Sequence, residues 1–172
     1  MTAQPSSAAP GRAPPPMPPT GILDGGVHVL PLRVYYEDTD AGGIVYHASY
    51  LRFAERGRAE LLRMFSADNR ALLAGAGVAF VARQCSLDYI APARLDDALE
   101  IHTRIVEVRG ASLRAAQTVR RQGQDLVRIE IRLACIQGDG RPGRLPADVR
   151  EALAALARGP KSGPRTGSDV ER

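Results

Sequence analysis

From Ser49 to Phe65 the apolar residues Tyr50, Phe53, Ala54, Gly57, Leu61, Met64 and Phe65 recur at three- and four-residue steps. Arg52, Glu55, Arg56, Arg58, Glu60 and Arg63 fill the positions between them. This spacing predicts an amphipathic helix of about five turns with a single apolar stripe. Ser49 is placed to cap its start. Gly57 falls on the stripe, where the missing side chain would let a sheet approach closely. One helix cannot bury its own stripe, so the rest of the chain must supply a matching apolar face.

The segments "VAFVARQCSLDY", "ALEIHTRIVEV", "SLRAAQTVRR" and "LVRIEIRLACIQ" read as four strands, separated by the turn-like "IAPARLDD", "RGA" and "QGQD". In the last strand Val127, Ile129, Ile131, Leu133 and Cys135 face one way and Arg128, Glu130 and Arg132 the other. Only one face of that sheet is therefore expected to be buried within the protomer. Before the helix, "VHVLPLRVYY" reads as a further strand, with Pro31 marking an edge or bulge. "ADNRALLAGAG" suggests one short helical turn, and "LPADVREALAALA" a short terminal helix with Pro146 in its first turn. The expected fold is α+β, a curled antiparallel sheet wrapped around one long central helix. Sheet edges left open need partners, so a homo-oligomer is expected.

With 172 residues the chain is long enough for one ordinary domain. We expect tails at 1–26, rich in proline and alanine, and at 158–172, polar, around a folded unit at 27–157. Of the net charge of +4, +2 belongs to residues 158–172, which leaves the folded segment nearly neutral. That argues against a nucleic-acid-binding face. No run approaches the roughly 18 apolar residues needed to span a bilayer, and the first residues lack the basic start and apolar core of a signal peptide. A cytoplasmic protein is expected. Cys85 and Cys135 both fall in strand-like runs, which predicts two buried thiols rather than a disulfide or a metal site.

The richest local chemistry lies in "VYYEDTDAGGIVYHASYLRFAER", Val34 to Arg56. It holds the carboxylates Glu37, Asp38 and Asp40, the pair Gly42-Gly43, His47, and Tyr35, Tyr36, Tyr46 and Tyr50. Asp40 stands just before glycines that let backbone approach a ligand, and a helix N-terminus with unpaired N–H groups follows at Ser49. Such donors can hold a carbonyl oxygen as charge develops on it, while the carboxylate attacks the carbon or activates water. Each residue also has an ordinary structural reading. Asp40 can simply form a turn, Glu37 and Asp38 can be solvated or salt-bridged, His47 can cap the helix, and the tyrosines can fill space.

The run "RVYYEDTDAGGIVYHASYLRFAERGRAELLR" resembles the opening of the YbgC-type acyl-CoA thioesterases, relatives of hydroxybenzoyl-CoA thioesterase with the hotdog fold. "AFVARQCSLDYIAPARLDDALEI" is similar to the family's next two strands and the turn between them, and "RGASL" to the following hairpin. The resemblance implies that Asp40 is the catalytic carboxylate that releases a free acid and the CoA thiol from an acyl-CoA. It implies that Tyr46 and His47 shape the acyl pocket and orient the catalytic groups, with Gly42, Gly43 and Ser49 beside the substrate. It also implies a site between protomers of a dimer or tetramer, with Arg83, Arg94 and Arg109 as candidates for the coenzyme's phosphates. No phosphate-loop motif or metal-ligand cluster appears, so no bound cofactor is implied. By analogy with the family, an acyl carrier protein, an envelope-system partner of the Tol–Pal kind and a place near the inner membrane are further expectations. The main rival is a non-catalytic acyl-CoA or acyl-carrier binding module. A hydratase on the same fold is a second, though that family's signature is not found.

Overall fold

The computed structural model describes residues 19–65, 70 and 72–159. Six strands form one antiparallel sheet: β1 (Ile22–Asp24), β2 (Val27–Arg33), β3 (Val78–Tyr89), β4 (Ala98–Arg109), β5 (Ser112–Arg121) and β6 (Gln124–Gln137). Their spatial order is β1-β2-β4-β5-β6-β3. The chain also forms helix α1 (Ser49–Arg63) and helix α2 (Ala147–Arg158), and Leu72–Ala76 form a π-type turn before β3. This is the expected α+β architecture of a curled sheet around a long helix.

Strand alternation decides which sheet face meets the helices. On β6, Val127, Ile129, Ile131, Leu133 and Cys135 are buried while Arg128, Glu130 and Arg132 are exposed. The same parity carries across to Leu113, Ala115 and Val119 on β5 and to Ile101 and Ile105 on β4. Leu61 and Leu62 of α1, with Val149 and Leu153 of α2, pack on one half of this face. Tyr50, Phe53 and Ala54 of α1 pack on the other half. A side chain as fully buried as Phe53, with 0% exposure, contributes about 1.5–3 kcal/mol.

Helix α1 comes close to the sheet at Gly57. A Cβ there would lie 2.8 Å from Ile101 Cγ2, 3.0 Å from Thr103 Oγ1 and 3.3 Å from Gln117 Nε2. Gln117, 1% exposed, uses the space that glycine leaves. Its amide donates to Ala54 O at 2.8 Å and to Thr103 Oγ1 at 2.9 Å, and its carbonyl accepts from Arg58 Nη1 at 2.6 Å.

Several expectations need correction. The paired structure begins before Val27, because Ile22–Asp24 form a hairpin with β2 across Gly25 and Gly26, whose φ values are +54° and +83°. Helix α1 has 15 residues, about four turns, and Met64 already lies outside it, exposed. Ser49 is the first helical residue rather than the cap; its buried hydroxyl donates to Asp38 O at 3.0 Å instead. Arg58 is half-buried, because Gln117 draws its guanidinium inward. Cys135 is buried as expected, but Cys85 is exposed, since β3 has β6 on one side and no strand on the other among the described residues. Both thiols are free. Most of the expected N-terminal tail, the C-terminal tail beyond Gly159 and part of the turn suggested at "ADNRALLAGAG" lie outside the described residues.

The Gly57 contact orders three stabilities. Alanine in place of Gly57 gains about 1 kcal/mol of helix propensity, but overpacking costs about 1–3 kcal/mol. Urea unfolding should therefore rank wild type above Gly57→Ala and Gly57→Ala above Gly57→Val. An alanine variant more stable than wild type would mean that the helix does not press on the sheet here.

Candidate active site

Between β2 and α1 the chain makes two tight turns, and each is fixed by an aspartate. The first is a 3₁₀ turn at Tyr36–Asp38, where the Asp38 carboxylate folds back to accept the Tyr35 N–H at 2.9 Å. Asp38 is 1% exposed, so it is a buried brace rather than a solvated charge. The second turn belongs to Asp40. Its N–H donates to Ile44 O at 3.0 Å, its carbonyl accepts from Gly43 N–H at 3.0 Å, and Oδ1 accepts from Gly42 N–H at 2.8 Å. Gly43 has φ +72°, a conformation that glycine adopts without strain. Oδ2 of Asp40 takes no partner among the described residues, and the residue is exposed.

Main-chain bonds strap this loop to the turn between β3 and β4. Val45 N–H donates to Ala93 O at 2.8 Å and Ile44 bridges Arg94, while Tyr46 N–H donates to Asp38 O at 2.8 Å within the loop itself. The strapping encloses a cleft of about 420 Å³, into which Asp40 and His47 open. Its walls are Ile44, Val45, Tyr50, Tyr89 and the Ile90–Pro92 segment. Both phenols are turned toward backbone. Tyr50 OH accepts the Ala93 N–H at 2.9 Å, and Tyr89 OH donates to His47 O at 3.1 Å. The cleft is thus offered aromatic rings, which pack edge to face with centroids 5.9 Å apart. Burial raises the Tyr50 phenol above its ordinary pKa, so it stays neutral at physiological pH.

Of the residues singled out in the sequence, Asp40 and His47 share this cleft. Tyr46 stands beside it with its ring 4.2 Å from that of His47. The Gly42 and Gly43 amides point into the Asp40 turn, where the aspartate already occupies both. Ser49 is buried against Asp38 O and does not face the cleft. Two amides that open α1 are also engaged, Ser49 N–H with Tyr46 O and Leu51 N–H with Ala48 O. Arg94 adjoins the loop through its bridge to Ile44. Arg83 and Arg109 line a separate cleft with Arg114 and Arg132, and do not converge with Asp40 in the protomer. The walls at Tyr89, Ile90, Ala91 and Pro92 were not singled out as site residues. Their one signal was an aromatic ending a strand just before a proline-containing turn.

An antiparallel sheet curled around a long helix is the hotdog fold. The chain belongs to the thioesterase superfamily, whose sequence profile matches residues 42–128. It is 42% identical to the acyl-CoA thioesterase YbgC of Haemophilus influenzae over 136 residues, 78% of this chain and 99% of that protein. It is 47% identical to the acyl-CoA thioester hydrolase YbgC of Escherichia coli over 121 residues, 69% of this chain and 90% of that protein. Among solved structures, a probable thioesterase from Bartonella henselae superposes with a TM-score of 0.68 at 39% identity, covering 70% of this chain and 99% of the other. No helix among the described residues is long and apolar enough to cross a membrane.

Two measurements check the geometry. Tyr50→Phe leaves the buried Ala93 N–H unpaired and should cost about 1–3 kcal/mol in unfolding. Tyr89→Phe, at an exposed residue, should cost less. Asp97 anchors the same turn by accepting Arg94 N–H at 2.7 Å and Arg121 Nη1 at 2.6 Å. Burial works to raise its carboxyl, but these partners outweigh burial and hold it below its ordinary value. A depressed carboxyl stabilises the fold above its unfolded pKa of about 4 and loses that contribution as pH falls through the folded value. Arg121→Gln should therefore be less stable than wild type by about 1 kcal/mol near neutral pH. The gap should close in acid below pH ~4, read from urea titrations across the range.

Proposed function

We propose that this enzyme hydrolyses short- to medium-chain or aromatic acyl-CoA thioesters to the free acid and CoA, with Asp40 as nucleophile or general base. The observation that carries this reading is the placement of Asp40 at the mouth of a cleft walled by Ile44, Val45, Ile90 and two tyrosine rings. An apolar acyl group fits those walls, and its thioester carbonyl then lies at the carboxylate. In the first route the carboxylate attacks the carbonyl carbon, the C–S bond breaks, and the departing thiolate takes a proton from water. A second water then opens the mixed anhydride and restores Asp40. In the second route Asp40 removes a proton from water as that water attacks, and the proton passes to the leaving sulfur. Both routes build charge on the carbonyl oxygen, and both would draw on N–H donors around the start of α1. His47 and Tyr46 orient the reacting groups from the rim.

The substrate class is supported by the names of the two YbgC relatives, both acyl-CoA thioester hydrolases. A homodimer or tetramer with the site at its interface is supported by β3, which has one edge unpaired among the described residues and is exposed on both faces from Val81 to Ser86. In such an assembly Arg94, beside the loop, is placed to meet coenzyme phosphates. Arg83 and Arg109 would reach a substrate only from another copy. An acyl carrier protein as thioester donor, an envelope-system partner and a cytoplasmic site near the inner membrane rest on family analogy.

A non-catalytic binding module has one observation in its favour: Asp40 Oδ1 already braces its own turn through Gly42 N–H. Two substitutions separate the readings. Asp40→Asn keeps an oxygen for the Gly42 amide but removes the charge, whereas Asp40→Ala removes both. In a free-thiol assay over a panel of acyl-CoAs, each should fall by about 10²- to 10⁴-fold, while Asp40→Asn retains the wild-type melting temperature. Full activity in Asp40→Asn would leave Asp40 as a turn former only.

A further inference from the structure

We propose that Asp97, clamped by Arg121, positions the Asp40 carboxylate through the turn at 93–97, an inference that rests on the role of Asp40 proposed above. The loop that carries Asp40 leaves β2 at Val34 and returns at Ile44 and Val45, and all three residues are tied to that one turn. At the outgoing end Val34 N–H donates to Asp97 O at 3.0 Å, and Asp96 N–H donates to Val34 O at 3.1 Å. At the returning end Val45 N–H donates to Ala93 O at 2.8 Å, and Ile44 bridges Arg94. Asp40 N–H in turn donates to Ile44 O at 3.0 Å, so a displaced turn would carry the carboxylate with it.

The turn does not hold its own shape. Asp96 has φ +66°, a left-handed conformation that a residue with a side chain adopts at a cost and keeps where its surroundings impose it. Contacts from both sides impose it here. Asp97 Oδ2 accepts Arg94 N–H at 2.7 Å from within the turn and Arg121 Nη1 at 2.6 Å from β5. From β2, Arg33 Nη1 donates to Asp96 O at 2.8 Å. Asp97 and Arg121 are both half-buried, where salt screens an ion pair less than at the open surface. Tyr50, a wall of the cleft whose hydroxyl accepts Ala93 N–H, feels both charges.

A group that attacks a carbonyl carbon, or activates the water that does, tolerates little misplacement: about 1 Å costs on the order of 10²-fold in rate. Asp40 is exposed and its Oδ1 bonds within its own loop, so its address is set by where that loop is seated.

Steady-state kinetics on the full chain, with the acyl-CoA that wild type hydrolyses fastest, test this. Asp97→Asn keeps an oxygen for Arg94 N–H but removes the charge that Arg121 grips. Its kcat should fall at least about tenfold. Its KM should change less than kcat, because the Tyr89 and Ile90 walls lie outside the loop. Arg121→Gln should behave alike, and it carries the comparison if Asp97→Asn melts below the assay temperature. Arg121→Lys should recover most of the loss, because Arg121 gives Asp97 a single N–H that an ammonium can replace. Arg128→Gln, which breaks an exposed ion pair with Asp125, should leave kcat unchanged. In an Asp40→Asn background the loss from Asp97→Asn should shrink to less than about twofold, since both changes act on one carboxylate. Wild-type kcat in Asp97→Asn and Arg121→Gln, or an undiminished loss in the Asp40→Asn background, would overturn the proposal. Full activity in Asp40→Asn alone would instead overturn the role of Asp40, whatever the Asp97 variants show.

Discussion

The structure depends on how closely α1 lies on the sheet, and one glutamine governs that distance. Gln117 projects from the centre of β5 and bonds to the main chain of α1 at Ala54, to Thr103 on β4 and to Arg58. A buried amide left unpaired costs more than its bonds contribute when made, so each partner must be present together. Gly57 makes this possible by removing the side chain that would otherwise occupy the same volume. The helix axis is thereby fixed relative to β4 and β5. The Tyr50 end of α1 inherits that placement, and with it one wall of the cleft.

Much of this could be read from the chain. Strands β3 and β5 have the expected ends, and the alternation at Val127–Cys135 correctly assigned the buried face. Period and parity are local properties, so a sequence displays them directly. What stayed hidden depended on contacts between distant segments. Ser49 resembles a cap but satisfies Asp38 O, and Arg58 occupies a solvent-facing position in the helical pattern yet is pulled inward by a residue of β5. The exposure of Cys85 follows from β3 lying at a sheet edge, which its own composition does not reveal.

The site shows the same division. Asp40 and His47 stood out through local chemistry, and the fold brings both to one cleft. The opposing wall at Tyr89–Pro92 is forty or more residues away in sequence, and only strand pairing brings it near. Arg83 and Arg109 looked equivalent to Arg94 as candidate anion ligands. Strand parity and a bulge send them to the other side of the sheet, so residue type alone could not separate the three.

The straps that hold the Asp40 loop are made by main-chain atoms: Val45 to Ala93, Tyr46 to Asp38, and Asp40 to Ile44. Such bonds are indifferent to which side chains project from the loop. Tyr35, Tyr36 and Glu37 are exposed and carry none of these three straps. A lineage carrying this loop can therefore diversify its rim while the Asp40 carboxylate keeps its address. Freedom to vary and constancy of shape are in this way assigned to different atoms of the same dozen residues.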